Sequence, residues 1–337
     1  MMRKYLKNLS ALSGKRDLRI DSIKGFLIIL VVYGHLLEPF RNDSLLVKGL
    51  YLLIYSFHMP LFVLLSGYFF NANVSYRKIW KSELLILESF LVFQTIRIIL
   101  SHSDFNISSF VVPAWTLWFL VSLIMWRAFS YMIFRVLPLS QKSLFVLLFL
   151  SVLVALWVGY LPIDVEFSFQ RTFSYFPFFI LGIFLRKRIN NIKVSPRFVW
   201  ISLLALVISG AYLITVCDFS SYYCPFWASV AYSDGYTLFI RLCCLLIGGA
   251  LSFFLLIYFP TSKLLALIGA ETMMIYLFHS FIVEILVKRF FDYIPMLENI
   301  VVLGFAAVIV TLVIFMCSKI SCFKFILNPF SKSIGKL

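Results

Sequence analysis

The sequence predicts an all-α integral membrane protein: a polytopic bundle of about ten transmembrane helices with both termini in the cytoplasm. Three observations predict it. The 337 residues are 62% hydrophobic and 13% charged, roughly half the charge of a soluble domain, so a water-soluble core this apolar would have too little polar surface to cover it. The apolar runs are about 20 residues long, the length of a membrane helix and about twice that of a barrel strand. Cations also recur in every second connection, as the positive-inside rule requires. Helices follow, because in lipid each segment must satisfy its own backbone.

The spans are placed at 22–40, 46–70, 80–100, 115–136, 143–161, 173–186, 198–217, 238–259, 264–286 and 300–318. The first leaves a basic N-terminus (Arg3, Lys4, Lys7, Lys15, Arg16, Arg19, Lys24) and ends at the outer loop Asn42 to Leu46, which has no cation. The second returns to Arg77, Lys78 and Lys81, and the third runs out to a cation-free loop, His102 to Val112. The fourth comes back to Arg135 and Lys142. The fifth, with softer edges, goes out again. The sixth is short, contains Pro177 and returns to Arg186, Lys187, Arg188, Lys193 and Arg197. The seventh leads to the cation-free stretch Asp218 to Gly235, and the eighth returns to Lys263. The ninth, also soft-edged, meets Lys288 and Arg289, the main exception to the rule, and the tenth returns to a basic tail.

The expected organisation is therefore a basic cytoplasmic N-terminus (1–21), one transmembrane domain (22–320) and a basic cytoplasmic tail (321–337). Neither a cleavable signal peptide nor an appended soluble domain is expected, and no internal repeat is visible. The net charge of +15 is assigned to topology and anionic lipid, with some phosphate binding at the inner face, and not to nucleic acid. The six cysteines show no metal spacing. Only Cys217 and Cys224 share an outer loop, where a bridge is conceivable but free thiols are the expectation.

The chemistry-bearing residues concentrate in the first three spans. Lys24 and His35 are eleven residues apart, three helical turns plus about 20°, so they share one face about 16 Å apart along the axis. An ionisable side chain at membrane depth is by default a functional candidate. The bland alternative for His35 is a histidine bonded across helices. His58, near mid-membrane in the second span, either orients a substrate or bonds Ser66 or a backbone carbonyl that Pro60 frees. Arg77, Lys78 and Lys81 at the mouth of the third span suit phosphates, although topology and lipid headgroups account for most inner cations. Glu83 and Glu88 need partners at that depth, with Lys81 or Lys24 the candidates for Glu83. Arg97 lies near the outer end of the same span. His279 is placed in the outer half of the ninth span, beside an acceptor entrance, and His102 in a solvated loop. Trp115, Trp118 and Trp126 are mainly packing residues, with sugar stacking a secondary role for Trp115 and Trp118.

Arg19-x-Asp21-x-x-Lys24-Gly25 leading to His35 resembles the opening helix of the acyltransferase-3 family of integral-membrane O-acyltransferases. Ser56-Phe57-His58-Met59-Pro60 through Ser66-Gly67-Tyr68 resembles that family's second signature. Leu117-Trp118-Phe119-Leu120, Phe176 to Gly182 and Ile275 to His279 echo later helices. Many members carry Arg-Gly where this chain has Lys24-Gly25, and the Lys form resembles the fucose 4-O-acetylase branch. The resemblance implies a multi-pass protein of the bacterial cytoplasmic (inner) membrane. It would use acetyl-CoA, or a related acyl-CoA, as donor and no metal. The acceptor would be a carbohydrate, a hydroxyl of a cell-surface polysaccharide or its lipid-linked precursor. His35 and His58 are then the catalytic candidates; Lys24, Arg19, Arg77, Lys78 and Lys81 the donor-binding ones; and Glu83, Trp118 and His279 the acceptor-binding ones. A transporter or flippase for a lipid-linked saccharide is the rival from another class.

Overall fold

The computed structural model describes residues 17–101, 106, 108–161, 166–186, 188, 200–201, 204, 206–211, 224–228, 231–232, 236–290, 299–327 and 329. The long helices among them are α1 (Leu18–Leu37), α2 (Leu45–Phe69), α3 (Tyr76–Leu100), α4 (Trp118–Val136), α5 (Gln141–Trp157), α6 (Phe169–Leu185) and α7 (Leu238–Tyr258). They are followed by α8 (Lys263–Gly269), α9 (Thr272–Phe290), α10 (Ile300–Cys317) and the short α11 (Ser321–Leu327). Among the described residues, 6 helices are long and apolar enough to cross a membrane, or up to 7 if the bent pair α8–α9 counts as one span. The expected seventh span, 198–217, and His102 and Cys217 lie wholly or mostly outside the described residues. Cys224 is buried.

The chain forms two compact units, Met1–Ile54 with Phe253–Lys319, and Tyr55–Ser252 with Ile320–Leu337. In the first unit α1 is the central helix, and α8, α9 and α10 all pack on it. It starts where Asp17 caps the amides of Arg19 and Ile20 at 3.0 and 3.2 Å. Its apolar side chains Ile20, Ile23, Leu27, Ile28 and Val32 are fully buried. A hydrogen bond and a glycine contact fix α8 against it. Ser22 Oγ accepts the Ser262 amide at 2.9 Å. At Gly25 and Gly269 the two backbones touch, because a Cβ on Gly25 would meet the Leu265 oxygen at 1.9 Å and one on Gly269 the Asp21 oxygen at 1.9 Å. Farther along, the Tyr33 hydroxyl donates to the Ile300 carbonyl at 2.9 Å, tying α1 to the first residue of α10.

The expected ninth span, 264–286, is not one helix. It breaks at Ala270–Glu271, and the two parts are bent by 74°. The 7 residues of α8 rise only about 10 Å, far short of a bilayer core of about 30 Å. The cause is local. Gly269 gives up its side chain to the α1 contact, and polar groups close the break. Thr272 Oγ1 donates to the Gly269 carbonyl at 2.6 Å, the Glu271 amide bonds the Ile268 carbonyl at 3.0 Å, and Lys319 Nζ reaches Glu271 Oε1 at 2.6 Å. A backbone break at membrane depth requires this internal satisfaction.

In the second unit α6 is the core helix. It is longer than the expected span 173–186 and buries most of its length, Pro177 included, against α5 and α4. Thr172 anchors α4: its hydroxyl pairs with Ser122 Oγ at 2.7 Å, and its carbonyl accepts Trp126 Nε1–H at 2.7 Å. α2 continues through Pro60 without interruption. Gly248 on α7 packs into the notch there, with its missing Cβ 2.9 Å from the Ser56 oxygen and 3.0 Å from Pro60 Cγ. Ser56 is the residue whose carbonyl the proline deprives of an amide partner. Arg241 is 2% exposed. It lies over the Tyr232 ring at 4.8 Å and donates to the Ala155 carbonyl at 3.3 Å and to Gln170 Oε1 at 3.4 Å.

Candidate functional site

The strongest constellation is built on the last turn of α1. The helix ends at Leu37 because Pro39 cannot continue its hydrogen-bond ladder, and the chain tightens into a 3-10 turn, Glu38–Phe40. That turn leaves Glu38 three residues after His35, on the same face. Glu38 Oε2 lies 3.1 Å from His35 Nδ1. A carboxylate only accepts, so Nδ1 carries the proton and the lone pair of a neutral ring sits on Nε2. Arg41 Nη1 donates to the Glu38 carbonyl at 3.0 Å and holds the turn. His35 is thus a base candidate with its orienting carboxylate already in place.

A second imidazole stands beside it. His279 on α9 is fully buried, and its ring lies 5.4 Å from the His35 ring, tilted by 33°. His279 Nδ1 faces the carbonyls of Ile275 at 3.1 Å and Tyr276 at 2.5 Å, so Nδ1 is its N–H and Nε2 its lone-pair nitrogen. Both rings therefore present Nε2 as the basic atom. His279, expected beside an acceptor entrance, has its ring packed against that of the candidate base.

At the other end of α1, Lys24 Nζ is salt-bridged to Asp21 Oδ1 at 2.6 Å, and Arg19 Nη1 donates to the Ile257 carbonyl at 3.3 Å. Lys24 and His35 lie on one helix, three turns apart, as the spacing requires. The first unit thus holds His35, His279, Lys24 and Arg19.

The other sequence candidates belong to the second unit. His58 is 3% exposed and meets the Tyr55 ring edge-on at 4.7 Å. Ser66 bonds its own helix, the Phe62 carbonyl, at 2.9 Å. Arg77 and Lys78 are exposed in the first turn of α3, with Lys81 partly buried one turn on. Glu83 pairs with neither Lys81 nor Lys24. Arg127 of α4 takes it instead, Nε to Oε1 at 2.6 Å, with Arg127 Nη2 also on Ser82 Oγ at 2.7 Å. Glu88 is buried on the same helix. Trp118 stacks on Tyr175 at 5.6 Å with Arg171 over its ring at 5.2 Å, so its face is already covered by an aromatic and a cation. Arg97 lies over Trp115 at 5.5 Å. Among the described residues, no three His, Cys, Asp or Glu side chains gather closely enough to hold a metal ion.

Sequence reasoning missed Glu38 and Arg127. His35-x-x-Glu38 is a spacing that puts both side chains on one helical face, a signal available without coordinates. Arg127 is a lone cation inside an apolar span, a default sign of a buried carboxylate partner.

Comparison with known proteins bears on the whole of this arrangement. Residues 17–318 match the family described as acyltransferase domain. The nodulation protein NolL of Mesorhizobium japonicum is 29% identical over 220 residues, 59% of this chain and 56% of that protein. The nodulation protein NolL of Sinorhizobium fredii is 46% identical over 68 residues, 19% of each chain. The chain thus spans about half the length of one curated relative and about a fifth of the other. No solved structure matches.

Proposed function

Because this chain belongs to the acyltransferase-domain family, we propose that it moves an acetyl group from cytoplasmic acetyl-CoA to a carbohydrate hydroxyl. The acceptor is a cell-surface polysaccharide or its lipid-linked precursor, and the site of action is the bacterial inner membrane. The observation that carries the reading is the His35–Glu38 pair, a base with its orienting carboxylate at 3.1 Å on the face that also bears Lys24.

In this mechanism His35 Nε2 takes the proton of the acceptor hydroxyl as its oxygen attacks the thioester carbonyl carbon. Glu38 stabilises the imidazolium that forms, as the third member of a triad does. A C–O bond forms and the C–S bond breaks. The departing thiolate of CoA then recovers the proton from His35. His279, packed on the imidazole, fixes the ring plane and keeps water from the base. Each unit carries its own donor-phosphate candidates: Arg19 and Lys24 at the start of α1, with the Lys24 charge shared by Asp21, and Arg77, Lys78 and Lys81 at the start of α3. His58, Glu83 and Trp118 shape the second unit. Glu83 does so through its ion pair with Arg127, a structural role.

The test is transfer from radiolabelled acetyl-CoA in inverted membrane vesicles, wild type against His35→Ala at matched expression. Label in the host's glycolipid or polysaccharide with wild type only is the expected result. Equal label with both proteins rejects His35 as the base. No label with either, given intact acceptor, rejects acetyl-CoA as donor and favours translocation of the saccharide.

A further inference from the structure

The second unit contains a cavity of about 420 Å³ where three connections meet: the end of α2 with Asn71 and Asn73, the start of α5 with Gln141, and the end of α6 with Arg186 and Arg188. We propose that this cavity is an anion site for a phosphate-bearing ligand, with Arg186 and Arg188 as the phosphate-binding pair.

Its chemistry is one-sided. Two guanidinium groups and three carboxamides line it, and among the described residues no carboxylate does. Further cations sit on the same three connections, with Arg77 and Lys78 just after Asn73, Arg135 just before the α4–α5 turn and Lys142 beside Gln141. A cleft lined by one sign of charge focuses its field inward.

The bland account is that the arginines only cap helix ends. Arg186 Nη1 does donate to the Phe70 carbonyl, and Arg188 Nη1 to the Phe184 carbonyl at 2.7 Å. That role does not use up their charge. The C-termini of α2 and α6 carry about half a negative charge each, roughly one in all, against two full positive charges. Nor does it exhaust their donors, since each guanidinium has five N–H groups and spends one on a carbonyl. The carbonyl bonds instead hold the forks in place, which lowers the ordering cost of binding an anion. The volume suits a nucleotide-sized group. The carboxamides supply donors and acceptors of the kind a nucleobase or ribose uses.

One ligand chemistry, a phosphate ester, has two sources here: the nucleotide end of an acyl-CoA donor or the headgroup of an anionic phospholipid. The nucleotide source rests on the acetyl-CoA reading above. The anion site itself does not.

The test uses the full chain in phosphatidylcholine nanodiscs and titrates adenosine 3′,5′-bisphosphate by calorimetry. The variants are Arg186→Gln with Arg188→Gln, Arg186→Lys with Arg188→Lys, and Asn73→Asp, an exposed position whose added charge opposes an anion without touching the fold. Saturable binding by wild type is expected, weaker by at least about 100-fold in the double-Gln variant, given the worth of two charge-assisted bonds. Binding should be partly kept in the double-Lys variant and weakened by Asn73→Asp. If the headgroup is the occupant, the bisphosphate does not bind. Native mass spectrometry after passage through phosphatidylglycerol then finds that lipid retained by wild type and lost from the double-Gln variant. Equal behaviour of wild type, double-Gln and Asn73→Asp with both probes overturns the proposal.

The two readings fail separately. If the double-Gln variant transfers label at the wild-type KM for acetyl-CoA, the nucleotide assignment falls and the enzyme stands. If bisphosphate binds through the arginine pair but no transfer occurs, the anion site stands and the enzyme reading falls.

Discussion

Gly67 and Gly182 cross with their backbones in contact. A Cβ on Gly67 would stand 1.9 Å from the Phe179 oxygen, and one on Gly182 would stand 2.0 Å from the Leu64 oxygen. The contact is reciprocal, so neither helix can yield without moving the other. It repeats in the second unit what Gly25 and Gly269 do in the first. Small residues that let helix backbones touch are a main source of packing energy where there is no water to exclude.

Gly182→Ala should therefore destabilise by at least the usual overpacking cost of about 1–3 kcal/mol, because the clash is with backbone. Gly49→Ala is the matched control. Nothing lies within 4 Å of its missing Cβ, and alanine there should be neutral or stabilise by up to about 1 kcal/mol through helix propensity. Thermal unfolding of the purified protein in detergent reads both.

Glu38→Gln keeps the size of the side chain and removes the charge that stabilises the His35 imidazolium. A charge-assisted hydrogen bond is worth about 1.5–3 kcal/mol, so kcat for acyl transfer should fall about 10–100-fold with KM for the donor little changed. His35→Ala should lose about 10²–10⁴-fold, the general-base contribution. A Glu38→Gln enzyme with unchanged kcat would remove the carboxylate from the mechanism.

Arg127→Met leaves the Glu83 carboxylate buried without its ion partner and should cost about 3–5 kcal/mol in stability. Adding Glu83→Gln should recover most of it, since a neutral amide is left where a charge was. A double-mutant cycle on unfolding midpoints measures the coupling. Additive losses would show that the 2.6 Å pair carries no net interaction.

The loops that meet at the arginine-lined cavity should face the cytoplasm. In a cysteine-free background, Asn73→Cys and Gln141→Cys should react with a membrane-impermeant maleimide in inverted vesicles and not in intact cells. Asn106→Cys, between α3 and α4, should show the opposite pattern. Labelling of all three from one side would overturn the alternating arrangement of the spans.

The helices were legible because each one's apolar run and bracketing cations are local signals. The Lys24–His35 stripe was legible for the same reason, since helical period alone decides it. What escaped the sequence was non-local. Nothing in the surroundings of residue 35 points to residue 279, although their rings lie 5.4 Å apart. The break at Ala270–Glu271 escaped because a hydropathy window reads 264–286 as continuous, while the bend is imposed by a glycine contact with a helix far away in sequence. Glu83 was assigned to a lysine on its own span or on the first, yet its partner is an arginine on the fourth. The candidate site was half visible: His35 stood out in the sequence, and Glu38 was overlooked at the end of the same span.

The closed corner between α8 and α9 works as the fulcrum of a lever. Glu271 sits at the pivot, and His279 rides eight residues out, about 12 Å along α9. An error of about 10° at the pivot swings the His279 ring by ~2 Å, comparable with the displacements that cost a catalytic site two orders of magnitude in rate. The Lys319–Glu271 bond at 2.6 Å stiffens that fulcrum from outside the site. A lesion in a polar pair more than two helical turns from the chemistry would then be mistaken, by activity alone, for a lesion in the active site.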